Sequence, residues 1–96
     1  MATIEQRIYD GNRAAEVLNN EAFQKAFADI EEQFVQAWKD SPARDVEGRE
    51  KIWTCLGLLK KLKGSLEGSL ETGKLAELDM LHKRNALERM KDSFGL

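Results

Sequence analysis

The feature that most constrains the fold is an apolar stripe in the segment 21–40. Large side chains recur there at intervals of four and three residues: Phe23, Phe27, Ile30, Phe34 and Ala37, with Trp38 beside the last. At about 100° per residue these positions share one side of an α-helix. One amphipathic helix cannot bury such a stripe by itself, so the stripe predicts a second packed surface.

A second apolar helix is predicted directly after this one. Pro42 ends the helix 21–40, because the residue before a proline is driven out of the helical region. Asp45 is the expected N-cap of the next helix. The apolar face of that next helix comprises Ile52, Cys55, Leu56, Leu58, Leu59, Leu62, Leu66 and Leu70. Connections as short as 41–45 join neighbouring helices, so we expect an antiparallel hairpin of about 21–40 and 46–72.

The two ends of the chain predict further helical segments. Thr3 is the expected N-cap of a first helix, Asp10-Gly11 is a candidate break in it, and Asn19-Asn20 is a stop and restart signal. The apolar pattern changes phase after Thr72-Gly73, which predicts a weakly docked helical tail over 73–96; the alternative is a helix that continues past Gly73. We expect one all-α domain with its core in about 4–72.

Charge is divided between the two halves of the chain. Residues 1–48 hold five Lys or Arg and ten Asp or Glu, whereas residues 49–96 hold ten and seven. This division predicts electrostatic docking between the halves, within one chain or between chains. The total of −2 gives no global attraction to nucleic acid, the single cysteine excludes a disulfide framework, and no apolar run is long enough to span a bilayer.

A row of glycines in the second half has two interpretations. Gly57, Gly64 and Gly68 share one face, nearly opposite the leucines, with Trp53 beside them. Glycine weakens a helix by about 1 kcal/mol relative to alanine, so the row indicates either a fraying, bent helix end near residue 64 or a seam that another backbone approaches closely. In the second interpretation these four residues form a contact face.

Residues that carry catalytic or metal-binding chemistry are sparse. His82 is the only histidine, with Asp79 three residues before it, and Cys55 lies among the leucines. One Cys and one His do not make a zinc site, and no phosphate loop or nucleophile elbow is present. We expect no catalytic residue, no cofactor and no metal, and therefore no enzyme.

Two basic clusters are candidates for a nucleic-acid patch: Lys60, Lys61 and Lys63, and Lys83 with Arg84. Nucleic-acid binding requires such clusters on one exposed face. The competing interpretation is a solvated face that pairs with the acidic helix 21–40.

The apolar faces together exceed what one hairpin covers. A second copy of the chain is the simplest source of the missing surface, so we expect a homodimer or a higher oligomer. The candidate core and interface residues are Phe23, Phe27, Ile30, Phe34, Trp38, Ile52, Leu56, Leu59, Leu66 and Leu70.

A family resemblance runs from Asn12 to about Gly73. The residues that carry it are Arg13-Ala14-Ala15 leading to Leu18, Glu21-Ala22-Phe23, Gln36-Ala37-Trp38-Lys39, Ser41-Pro42 and Gly48-Arg49-Glu50-Lys51-Ile52-Trp53. This pattern resembles small helical proteins of tailed bacteriophages and prophages, often encoded near virion-morphogenesis genes. The resemblance brings no catalytic residues and does not extend to the segment after Gly73.

The resemblance and the apolar faces together predict a non-enzymatic phage accessory protein that acts through protein–protein contacts in virion assembly or genome packaging. Its expected location is the bacterial host cytoplasm or the virion, and we expect no membrane partner. One alternative is a nucleic-acid-binding packaging factor, and another is a small inhibitor that binds a host protein.

Overall fold

Three helices account for most of the chain. The computed structural model describes residues 2–95, and its helices are α1 (Ile4–Leu18), α2 (Glu21–Asp40) and α3 (Val46–Ser93). These described residues contain no strand, so the predicted all-α class is confirmed.

The predicted N-caps begin all three helices. The side chains of Thr3, Asn20 and Asp45 each accept a hydrogen bond from the backbone N–H three residues later. Each cap satisfies one of the amide groups that a helix start leaves without a partner. The bounds predicted for α2 are therefore correct, as is the start of α3.

The predicted end of the third helix at residues 72–73 is wrong. α3 continues without interruption for 48 residues, through Gly64, Gly68 and Gly73 to Ser93. Over residues 46–93 the helix neither frays near residue 64 nor gives way to a separate tail at residue 73, so the continuous alternative is correct. The last residue of the predicted tail 73–96 lies outside the described part of the chain. The break considered at Asp10-Gly11 is also absent, because α1 is helical through both residues.

Tertiary packing explains why Gly73 and Gly11 do not interrupt their helices. α1 lies against α3 with these two glycines in contact, and a Cβ on Gly73 would lie 2.9 Å from the Gly11 Cα and 3.0 Å from the Arg7 carbonyl oxygen. Glycine allows two backbones to approach this closely. Ala14 and Ala76 are the buried apolar side chains beside this contact. We call these four residues the helix crossing.

α2 lies alongside the first half of α3. Trp38, near the end of α2, contacts Trp53 near the start of α3, with ring centroids 6.3 Å apart. Phe27, earlier in α2, lies beside Lys63, later in α3. α2 itself has no buried residue.

The chain is far more extended than a compact domain of its length. Its radius of gyration is 21.5 Å, and it measures 77 × 25 × 17 Å. A compact domain of this length has a radius of gyration of about 12–13 Å. The accessible surface is 7753 Å², whereas a compact monomer of this mass exposes about 5,600 Å². A single copy therefore leaves about 2,000 Å² more surface in water than a compact fold would.

Candidate functional site

The structure does not bring together the two residues that the sequence offers for metal or catalytic chemistry. Cys55 and His82 are held about 40 Å apart by the continuous helix between them. The Asp79 carboxylate pairs with the Lys83 ammonium at 3.4 Å. Among residues 2–95, no three His, Cys, Asp or Glu side chains lie where they could hold a metal ion.

The turn between α2 and α3 is organised by Arg49. Its guanidinium lies 3.7 Å from the centroid of the Trp38 ring and donates hydrogen bonds to the carbonyl oxygens of Trp38 and Ser41 and to the Ser41 hydroxyl. Trp38 lies in the last turn of α2 and Ser41 is its C-cap, and the Trp38 carbonyl oxygen also accepts hydrogen bonds from the Ser41 hydroxyl at 2.7 Å and the Ser41 N–H at 3.3 Å. Arg49 therefore joins the start of α3 to the capped end of α2.

The expected charge pairing between acidic α2 and basic α3 is not formed in the described residues. The four ion pairs that the structure contains all join residues of the same helix: Arg13–Glu16, Lys25–Asp29, Glu47–Lys51 and Asp79–Lys83. Cations of α3 reach α2 through its aromatic rings instead, as Arg49 does at Trp38 and Lys63 does at Phe27. The Arg13 guanidinium has a raised pKa because it donates hydrogen bonds to Tyr9 and Glu16.

The ten candidate core and interface residues lie on α2 and α3. Of the ten, all but Ile30 are half-buried, and Ile30 is exposed. No large side chain of residues 2–95 is fully buried. The single chain thus partly shields its apolar stripes and encloses none of them.

The predicted contact face around Trp53 is uncovered in the single chain. The Trp53 side chain is 69% exposed, and a Cβ added to Gly57, Gly64 or Gly68 would meet no neighbouring atom within 4 Å. A shallow groove runs beside Gly57, lined by Glu31, Val35, Trp53, Leu56, Gly57 and Lys60. The structure therefore leaves room for another chain along this side of α3.

This face extends further than the sequence indicated, because α3 does not end at Gly73. Leu75 and Leu78 lie on the same side of the helix as Trp53 and are 63% and 53% exposed. The charged residues of the row are Lys60 and Glu71. We define the open face as Trp53, Gly57, Lys60, Gly64, Gly68, Glu71, Leu75 and Leu78. Their four- and three-residue spacing holds through Gly73 and would have revealed the whole row in a helix read past that glycine.

The structure does not unite the two basic clusters into one patch. Lys60 and Lys83 lie about 35 Å apart along α3, because 23 residues of continuous helix separate them. Lys63 stands over the Phe27 ring and Lys83 is paired with Asp79. A nucleic-acid backbone would thus meet two separate small clusters.

The last three turns of α3 form a separate exposed region. Leu87 and Met90 are exposed there, as is the C-cap Phe94, and these side chains lie about 120–180° around the helix axis from Leu78. They continue the side of α3 on which α1 packs, beyond the point at which α1 covers it.

Comparisons with known proteins assign no relative to this chain. Within residues 2–95, no helix has both the length and the apolar character to cross a membrane. No protein family, no curated protein and no solved structure gives a match.

Proposed function

We propose that this chain is a non-enzymatic assembly protein, which acts as a homo-oligomer of helical hairpins and binds through its helix faces. The observation that carries the proposal is the surface that one copy leaves in water. The chain exposes 7753 Å², about 2,000 Å² above the value for a compact monomer of its mass. A standard protein interface removes about 800 Å² from each partner, so the excess accommodates one such interface with surface left for a second.

The distribution of exposed apolar side chains supports the same proposal. Large apolar residues are exposed at intervals from Val46, the first residue of α3, to its C-cap Phe94. Exposed apolar patches are typical of surfaces that bind other proteins, and Trp53, Leu75 and Leu78 share one side of α3. We further propose that this activity serves virion assembly or genome packaging, the setting that the resemblance to small helical phage proteins predicts.

Sedimentation equilibrium tests the oligomer directly. We expect a mass that is a multiple of the 10.9 kDa chain at micromolar concentration. A mass of 10.9 kDa throughout that range would contradict the proposal. Mass spectrometry of purified phage particles then tests the setting. The chain should be detected at several copies per particle, either in mature virions or in their precursor particles.

A DNA titration tests the alternative of a packaging factor that binds nucleic acid. Because the two basic clusters are separated, we expect no binding of duplex DNA in the micromolar range at physiological salt. Binding whose strength falls steeply as salt rises would favour the alternative.

A further inference from the structure

We propose that two copies of the chain pair through the open face, with their α3 helices antiparallel and a twofold axis between Gly64 and Gly68. This inference rests on the proposed function and identifies the surface that the oligomer uses.

The open face is a straight, uninterrupted strip. At about 100° per residue its eight positions fall within an arc of about 80°, and they span about 38 Å of helix. Intervals of four and three residues are the spacing at which helices pack along their length. α2 lies on one side of this strip and α1 on the other, and neither covers it.

The side chains of the open face are compatible in size with those of a partner's open face that runs in the opposite direction. With the twofold axis between Gly64 and Gly68, Trp53 lies opposite the partner's Leu78, and Gly57 lies opposite the partner's Leu75. The open space over Gly57, beside the groove that Val35 and Trp53 line, gives room for a leucine side chain. The largest exposed side chains thus fall at the two ends of the interface, where the helices can diverge.

The centre of the strip permits the closest approach. Gly64 lies opposite the partner's Gly68, and both have free space above the backbone. Small residues at a crossing let two helices come near enough for their backbones to touch, as Gly11 and Gly73 do at the helix crossing of the same chain.

The strip also matches itself in charge. Lys60 lies opposite the partner's Glu71, and the twofold axis repeats this pair. Neither residue takes part in an ion pair in the described part of the chain, so both are free to bind across the interface. A parallel arrangement would instead place Lys60 beside Lys60 of the partner subunit. Charge thus favours the antiparallel arrangement over the parallel one.

Disulfide cross-linking tests the register. In a Cys55→Ser background, Gly57→Cys and Leu75→Cys are made singly and together in one chain. The antiparallel register predicts that the double variant forms a covalent dimer under mild oxidation, as does a mixture of the two single variants. Each single variant alone should stay uncrosslinked, because its two copies of the cysteine lie about 27 Å apart.

A second pair of cysteine variants controls for a folding defect in the first pair. Lys60→Cys and Glu71→Cys replace exposed side chains, so both variants should keep the parent's helix content. Their mixture should cross-link and each alone should not, since equivalent positions lie about 15–18 Å apart. An oligomer in which neither mixture cross-links, or in which a single variant cross-links alone, overturns this inference and leaves the proposed function standing. A monomeric parent overturns both.

Discussion

Apart from Gly48, which lies against the N-cap side chain of Asp45, the glycines of α3 occupy two settings. Only one of the two is in contact with another helix of the same chain. At the helix crossing, Gly73 touches the Gly11 backbone. On the open face, Gly57, Gly64 and Gly68 have free space above them. Each glycine lowers helix stability by about 1 kcal/mol relative to alanine. At the crossing, backbone contact offsets that cost. On the open face nothing in one copy does, which is the physical reason to expect a partner there.

The largest effect is expected from Gly73→Ala, which breaks the closed setting. The new methyl group would lie 2.9 Å from the Gly11 Cα, an atom that cannot move aside without shifting α1. We expect a loss of about 3 kcal/mol in the free energy of unfolding, at the upper end of the range for overpacking. Chemical denaturation measures it.

Thr72→Ala is the matched control for that variant, because Thr72 is exposed and precedes Gly73 in the same turn. Its free energy of unfolding should lie within about 0.5 kcal/mol of the parent value. If Gly73→Ala is as stable as this control, the backbones do not touch and the two glycine settings are alike.

Arg49→Ala is expected to have the next largest effect, since Arg49 fixes α2 along one edge of the open face. The variant loses the charge-assisted hydrogen bonds in which the two protons of Arg49 Nη1 are shared among three oxygens, and it loses the stacking on Trp38. We expect a loss of about 2 kcal/mol in the free energy of unfolding. Arg49→Lys should recover only part of it, because a compact ammonium group does not stack on the Trp38 ring as a planar guanidinium does.

Lys51→Ala provides the comparison for Arg49→Ala. The Lys51 side chain is exposed and its ion pair with Glu47 lies in solvent, so its removal should change stability by less than about 0.5 kcal/mol. Equal effects of the two variants would mean that Arg49 does not organise the turn.

Gly64→Ala is expected to have the smallest effect on the free energy of unfolding. Its effect on the dissociated chain should be opposite in sign to that of Gly73→Ala. In a dilute, dissociated sample it should stabilise the chain by up to about 1 kcal/mol, because alanine is the better helix former. In a concentrated sample the added methyl group should weaken association. Thermal melts over a range of protein concentrations measure both effects. Stabilisation at every concentration would show that no second backbone packs at residue 64.

The local signals of the sequence predicted the helices well. Thr3, Asn20, Pro42 and Asp45 mark helix ends through hydrogen bonds and backbone restrictions that act within four residues. What the sequence could not supply is which glycine meets another backbone. In the sequence alone Gly73 has the pattern of a helix end. The contact with the Gly11 backbone of α1, which makes Gly73 a buried residue within α3, is visible only in the structure.

The candidate site was predicted in part for the same reason. The spacing of Trp53 and its three neighbouring glycines predicts a shared face. The helix end predicted at Gly73 places Leu75 and Leu78 in a separate tail. The expected ion pairing of α2 with α3 depended on net charge alone. Net charge does not specify where side chains reach. In the structure Arg49 and Lys63 lie over aromatic rings of α2, whereas Lys25 and Lys83 pair with carboxylates on their own helices.

Reciprocal charge exchange tests most directly whether the open face joins two copies. Lys60→Glu and Glu71→Lys should each weaken the dimer by about tenfold or more in Kd, since each places like charges opposite one another twice. The double variant restores opposite charges and should return Kd to within about threefold of the parent. Lys91→Glu, outside the open face, controls for net charge. Sedimentation equilibrium that gives two weakened single variants and a restored double variant is the predicted result; a dimer indifferent to all three changes would contradict the account.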